Sequence, residues 1–131
     1  MSTQPGDTIP PWEMASVSAE KMKTMAAILR DPNPLHWDRE AVAALPLGLG
    51  RRTINQGPLG LGYIINMLHA WQGPTCLQGI TMTFPQVVLD GDHVTARGTV
   101  KSVDAGVAHC DVWLEHSDGR KLLVGQARVK I

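Results

Sequence analysis

The sequence predicts an α+β domain in which an antiparallel sheet wraps one buried helix. Three observations carry this. Residues 59–71 are apolar or glycine except for Asn66 and His69, which with Gln72 form one polar stripe at three-residue spacing. A helix so patterned must be covered over most of its circumference. From residue 77 to the end, long strand-like runs are punctuated by the turn sequences DGD, DAG and DGR. Helical patterns precede these strands instead of alternating with them, the layout of an α+β protein.

Each element can be justified in order. Residues 1–7 are polar and read as a flexible end of a single domain spanning 1–131. IPPWEMASV reads as an extended entry. SAEKMKTMAAILR reads as a helix: Ser18 caps it, Glu20 suits its first turn and Arg30 its last. Met22, Met25, Ala26 and Leu29 recur at i, i+3, i+4, i+7 and form its predicted buried stripe. The helix should end at Asp31, because Pro32 follows. Asp38 caps a second helix, REAVAAL, which Pro46 ends. PLGLGRR is a connection and RTIN a short strand.

QGPLGLGYIINMLHAWQG is the buried helix, with Pro58 at its first position and Gly73 at its C-terminal cap. Gly60 and Gly62 each cost it about 1 kcal/mol against alanine, so a strand or a ligand must approach closely there. LQGITMTFPQVVL, HVTARGTVKSV, VAHCDVWLEHS and KLLVGQARVKI then read as a four-strand meander, with Asp90-Gly91 and Asp118-Gly119 as hairpin signals. In the third of these, Ala108, Cys110, Val112 and Leu114 alternate with His109, Asp111 and Glu115, the period of a half-buried strand. Wrapping this sheet around the helix gives a hot-dog fold. One such sheet leaves an exposed edge and an incompletely covered helix, so a dimer is expected.

Composition narrows the function. The chain has 131 residues, 44% apolar, with 12 basic and 12 acidic side chains. A net charge of zero and 5% aromatic content give no electrostatic or stacking footprint for nucleic acid, and no basic face for a membrane surface. Cys76 and Cys110 form no CxxC, and no histidine stands at zinc-like spacing from them, so free thiols and no metal are expected. MSTQPGDTIPPWE has no basic-then-apolar leader pattern, and a cytoplasmic location is expected.

LRDPNPLHWDREA, residues 29–41, holds the chemistry. Taken singly, Asp31 is a helix-ending acid and His36 a loop histidine. Together, with Asn33 between two prolines, they are two proton-transfer groups displayed on stiff, non-helical backbone. Asp38 reads as a cap and not a catalyst. His69 belongs to the polar stripe; His93, His109 and His116 read as strand or turn surface. Tyr63 and Trp71 read as core.

These residues carry a resemblance. DPNPLHWDREAVAA, INQGPLGLGYIINML and GITMTFPQVVLDGDHVTARGTV resemble the MaoC-like (R)-specific enoyl-CoA hydratases and acyl dehydratases over roughly residues 6–131. Asp31, Asn33, Pro34, His36 and Asp38 match the family's D-x-N-P-[LI]-H-x-D; Ile54 and Gly57 match I-x-x-G; Phe84, Val87 or Val88, Gly91, Asp92 and Val94 match the later motif loosely. The resemblance implies that Asp31 and His36 act on one water at C3 of a trans-2-enoyl thioester, or in reverse on a 3-hydroxyacyl thioester, in lipid metabolism. It implies that the Gly57 N–H stabilises charge on the thioester oxygen, that Asn33 braces the pair, and that no cofactor is needed beyond the CoA or carrier thioester of the substrate. Gln56, Gly60, Tyr63, Arg51 and Arg52 are further expected substrate contacts, the arginines for a CoA phosphate.

The chain departs from the pattern at Gln56, where many members have histidine; at Pro58, which has no N–H; and at Ile65, where short-chain hydratases often carry serine. NQGPLGLGYIINMLHAWQGP is similar to single-hot-dog subunits of heteromeric steroid-chain hydratases, which implies a bulky acyl group or a partner subunit. A hot-dog thioesterase would share the fold, but residues 57–72 contain no Asp or Glu. A non-catalytic acyl-CoA-binding protein would not need both Asp31 and His36. A serine hydrolase has no G-x-S-x-G here.

Overall fold

The computed structural model describes residues 2–131, and its five strands pair in the order β1-β3-β4-β5-β2. The strands are β1 (Thr8–Met14), β2 (Leu77–Thr83), β3 (Val94–Asp104), β4 (Val107–His116) and β5 (Lys121–Lys130), all neighbours antiparallel. The helices are α1 (Ala19–Leu29), α2 (Arg39–Ala43) and α3 (Gly57–Gln72). The sheet curls around α3, whose Tyr63, Ile64, Met67 and Leu68 are buried against Ala96, Val112, Leu114 and Leu123 of the sheet. This is the predicted hot-dog arrangement. Cys76 and Cys110 are free thiols within this interior. Burial pushes Cys110 up to about 11 and raises Cys76 as well, so both stay protonated and unreactive near neutral pH.

Local rules explain most of the elements. The β3–β4 hairpin turns on Ala105 and Gly106, with φ of 51° and 77°, the two positive values that a two-residue type I′ turn requires. Pro10 and Pro11 are tolerated because β1 is an edge strand, with a register shift between Ile9 and Trp12. Ser18 accepts from Lys21 N–H, and Asp38 accepts from Glu40 and Ala41 N–H, as their cap roles predict. Met1, the first of the residues expected to be flexible, lies outside the described residues. Gly6 N–H donates to Val100 O and Val100 N–H to Asp7 O, at 2.8 and 2.9 Å.

Six expectations need correction. The C-terminal strands are not a simple meander: β2 pairs with β5, not β3, and ends at Thr83 before Phe84 and Pro85. Asp90-Gly91 is therefore no hairpin; the Asp90 carboxylate is buried and accepts from Thr53 N–H (2.5 Å), Thr53 Oγ1 (2.7 Å) and Arg39 (3.1 Å). RTIN forms only a bridge, Ile54 to Leu89. The α1 stripe is buried only at Met22, because just the first turns of the helix meet the body; Ile28 and Leu29 are 68% and 42% exposed. Arg30 is not in the last turn but is the left-handed cap, φ 52°. The helix α3 begins one residue early, so Pro58 follows its first residue.

Candidate active site

The site begins where α1 stops. Arg30 N–H bonds Ala27 O and Asp31 N–H bonds Ala26 O at 2.9 Å, closing the helix with a Schellman-type cap. That cap aims the chain outward at Asp31. Pro32 and Pro34 then stiffen the next turn. Asn33 N–H donates to Asp31 Oδ1 (3.2 Å), and Asn33 Oδ1 accepts from Leu35 N–H (3.1 Å), capping a 3-10 turn over Pro34–His36. Asn33 thus meets Asp31 through its backbone N–H, while its side-chain amide oxygen holds the turn and touches neither Asp31 nor His36.

The 3-10 turn is tied to the approach to α3. Ile54 N–H donates to Leu35 O (2.8 Å), and His36 Nδ1 donates to Ile54 O at 2.7 Å. A carbonyl can only accept, so this bond puts a proton on Nδ1 and leaves Nε2 to exchange one. Nε2 lies 3.4 Å from Asp31 Oδ2. The His36 side chain is 14% exposed and that of Asp31 41%, so the histidine is held in the wall and the carboxylate faces outward. Asp31 borders an open groove lined by Ala26, Ala27, Pro32 and Trp37, with Lys23 and Arg30 at its rim.

Gly57 opens α3 three residues after Ile54. Its N–H is a first-turn donor with no intrahelical acceptor, at the positive end of a 16-residue helix. Its φ is not among the positive ones; a Cβ there would meet Phe84 Cε1 at 3.1 Å, so glycine lets the ring lie close. Sequence reasoning did not place Phe84 in the site, nor the Ile54 carbonyl. Phe84 could have been flagged as the chain's only phenylalanine in a motif-like position; a backbone acceptor leaves no residue-type signal.

The other expected contacts lie elsewhere. Gln56 is 2% exposed, and its Nε2 donates to Met22 O at 2.8 Å, so it joins α1 to α3 from inside. Gly60 is buried and admits Leu123 of β5, 3.4 Å from where its Cβ would lie. The close approach at Gly60 is thus by a strand; at Gly62 the expectation fails, since among the described residues nothing lies within 4 Å of where a Cβ would be. Tyr63 stacks on Trp12, ring centroids 5.6 Å apart, in the core; burial raises its phenol above the usual value, against a lowering from Asn55. Arg52 is held by Asp90 O and the Asp92 carboxylate, and Arg51 pairs with Glu40. Neither arginine is brought to the Asp31–His36 pair by these contacts. His116 is also engaged, with Asp92 at 3.3 Å, rather than being plain turn surface.

Known proteins share this architecture. A family model described as a MaoC like domain matches residues 2–114. No curated protein matches the chain significantly in sequence. Among solved structures, the unliganded R-hydratase PhaJ1 from Pseudomonas aeruginosa has a TM-score of 0.86 at 20% identity, covering 98% of this chain and 81% of that one. The (R)-hydratase from A. caviae involved in PHA biosynthesis has 0.86 at 25% identity, with 99% and 98% covered. The ChsH1-ChsH2 complex from Mycobacterium tuberculosis has 0.83 at 19% identity, with 100% and 99% covered. The fold is shared along the whole chain while the sequence has diverged, and the family model spans all the residues of the candidate site: the chain belongs to the MaoC-like dehydratase family.

Proposed function

We propose that the chain is a hydratase or dehydratase that adds water to a trans-2-enoyl thioester, giving a (3R)-3-hydroxyacyl thioester, or runs the reverse. The observation that carries this reading is the Asp31–His36 pair. One atom of each partner is already held, Oδ1 by Asn33 N–H and Nδ1 by Ile54 O. The remaining atoms, Oδ2 and Nε2, face each other at 3.4 Å. That is long for a charge-assisted hydrogen bond and leaves both atoms free to touch one water.

The chemistry follows from the atoms. The reacting pair carries one proton, on Oδ2 or Nε2. The water oxygen attacks C3, and its proton passes to the unprotonated partner. The protonated partner delivers its proton to C2, where the former double-bond electron pair forms the new C–H bond. One proton is then exchanged across the pair, which returns to its starting form. In the enolate-like transition state, negative charge gathers on the thioester oxygen. The Gly57 N–H and the α3 dipole stabilise it; one such donor is worth about 3 kcal/mol. Pro58 adds none. These steps call for no metal or redox group, and the substrate brings its own CoA or carrier thioester.

Gly57→Ala tests the oxyanion assignment. Its backbone conformation suits alanine, and the half-exposed Phe84 ring can shift, so the melting temperature should move by only a few degrees. Turnover should fall about tenfold or more as the methyl crowds the donor. Steady-state kinetics beside thermal melting separate the two effects.

The edge strand β2 and the exposed Val87, Ile28 and Leu29 support a second chain in the working enzyme, and a homodimer in the cytoplasm is the proposed state. A second hot-dog chain is the other reading; the ChsH1-ChsH2 complex pairs two such names. Light scattering should give twice the chain mass for the purified protein; a monomer would favour a missing partner. The activity itself is tested by incubating trans-2-enoyl-CoA with pure protein while following enoyl absorbance and free thiol together. Hydration consumes enoyl without releasing thiol. Thiol release would indicate a thioesterase, and no change with either probe would favour a binding role.

A further inference from the structure

We propose that Phe84 is a positioning residue for this site: its ring walls the Gly57 N–H, so that the thioester oxygen meets that donor in a slot poor in water. The proposal rests on Gly57 as the oxyanion donor.

Phe84 is the chain's single phenylalanine, and it stands 51% exposed. It immediately follows β2, which ends at Thr83. The backbone there is held on both sides: Thr83 pairs with Val124 and its Oγ1 donates to Val124 O at 3.2 Å, while Gln86 N–H donates to Leu122 O at 3.4 Å. Between these anchors the ring reaches the first residue of α3. Its Cε1, Cζ and Cδ1 lie 3.1, 3.4 and 3.5 Å from where a Cβ on Gly57 would be. The near-equal distances to three consecutive ring atoms put that Cβ position over the ring near Cε1, so the ring lays its apolar face against Gly57. A side chain at Gly57 would have to push the ring back by a few tenths of an ångström.

An N–H at a bare helix end is solvated, and water competes for it. A fixed apolar wall displaces that water without offering a rival hydrogen bond. The same N–H then acts on developing charge at lower local dielectric, where it is more effective. This accounts for an exposed phenylalanine that contributes little to the core.

The test is hydration of crotonyl-CoA by Phe84→Ala, Phe84→Leu, Gly57→Ala and the double variant Gly57→Ala/Phe84→Ala, each with a melting curve. Phe84→Ala should lower kcat about tenfold with a smaller change in KM. Phe84→Leu, which restores an apolar wall, should recover most of that loss. Melting temperatures of both should stay near wild type. In the Gly57→Ala background, where the methyl already displaces the ring, Phe84→Ala should cost less than it does alone. An active wild type with kcat unchanged in Phe84→Ala overturns the proposal and leaves the hydratase reading standing. So does a loss confined to KM, or one that follows melting temperature in both Phe84 variants. A wild type that hydrates neither crotonyl-CoA nor a longer enoyl-CoA overturns the hydratase reading and this proposal together.

Discussion

Replacing His36 by alanine is expected to lower hydration turnover about a hundredfold or more while leaving the fold intact. The side chain removes or supplies the proton at Nε2, and the pair has no other nitrogen to substitute for it. Its structural contribution is small by comparison: one hydrogen bond, Nδ1 to Ile54 O at 2.7 Å, worth about 1 kcal/mol net. Asp31→Asn should match it. An asparagine oxygen can still accept from Asn33 N–H, but the amide cannot carry the exchanging proton. The two losses should not multiply in the double variant, because the pair acts as a unit. Kinetics of the three variants, with melting curves to confirm folding, check all of this. Near-normal turnover in both folded single variants would remove Asp31 and His36 from the mechanism.

The largest effect on stability should come from Asp90→Ala, about 3 kcal/mol. Asp90 is 9% exposed and holds the strand-like approach to α3 against the loop before β3. Its carboxylate accepts from Thr53 N–H, Thr53 Oγ1 and Arg39, and its backbone N–H donates to Thr53 O at 2.9 Å. Truncation leaves the Thr53 donors buried without a partner. The carboxylate also gives a pH signature. Burial alone would raise its pKa; the hydrogen bonds from Thr53 and the Arg39 guanidinium outweigh burial and hold it below the usual value. A lowered folded-state pKa means stabilisation that is fully present above the unfolded value of about 4 and is lost as pH falls through the folded one. Wild type should therefore weaken on acidification through that range, and Asp90→Asn should weaken less steeply. Some slope should persist, because the backbone and side-chain hydrogen bonds of Arg120 also lower Asp118. Denaturant titrations at several pH values measure both slopes.

The sites that sequence reasoning reached are those whose partners are close along the chain. Asp31, Asn33 and His36 lie within six residues, and two prolines restrict the backbone between them, so their proximity was readable. That α3 turns an apolar face to the core was readable from its sequence, but the expected cover over most of its circumference is not met among the described residues: Gly60, Tyr63, Ile64, Met67 and Leu68 are buried on one face, while Pro58, Asn66 and Ala70 are exposed. What escaped depends on distant pairing. Asp90-Gly91 has the residue types of a hairpin turn, yet Thr53, 37 positions away, claims the carboxylate and β2 goes to the far edge. Arg52 reads as a free cation until Asp92, 40 positions away, holds it. Phe84 meets Gly57 only because the sheet curls. The α1 periodicity reports an apolar face but not what covers it, and among the described residues Leu29 stays 42% exposed.

The measurement that tests the central claim most directly is the configuration at C3 of the product formed from trans-2-enoyl-CoA by the purified chain alone. Crotonyl-CoA and a longer enoyl-CoA sample a short and an extended acyl group. A (3R)-3-hydroxyacyl-CoA, formed by wild type and lost in Asp31→Asn, is the predicted result. A (3S) product, or a (3R) product formed equally well without the Asp31 carboxylate, would contradict the account.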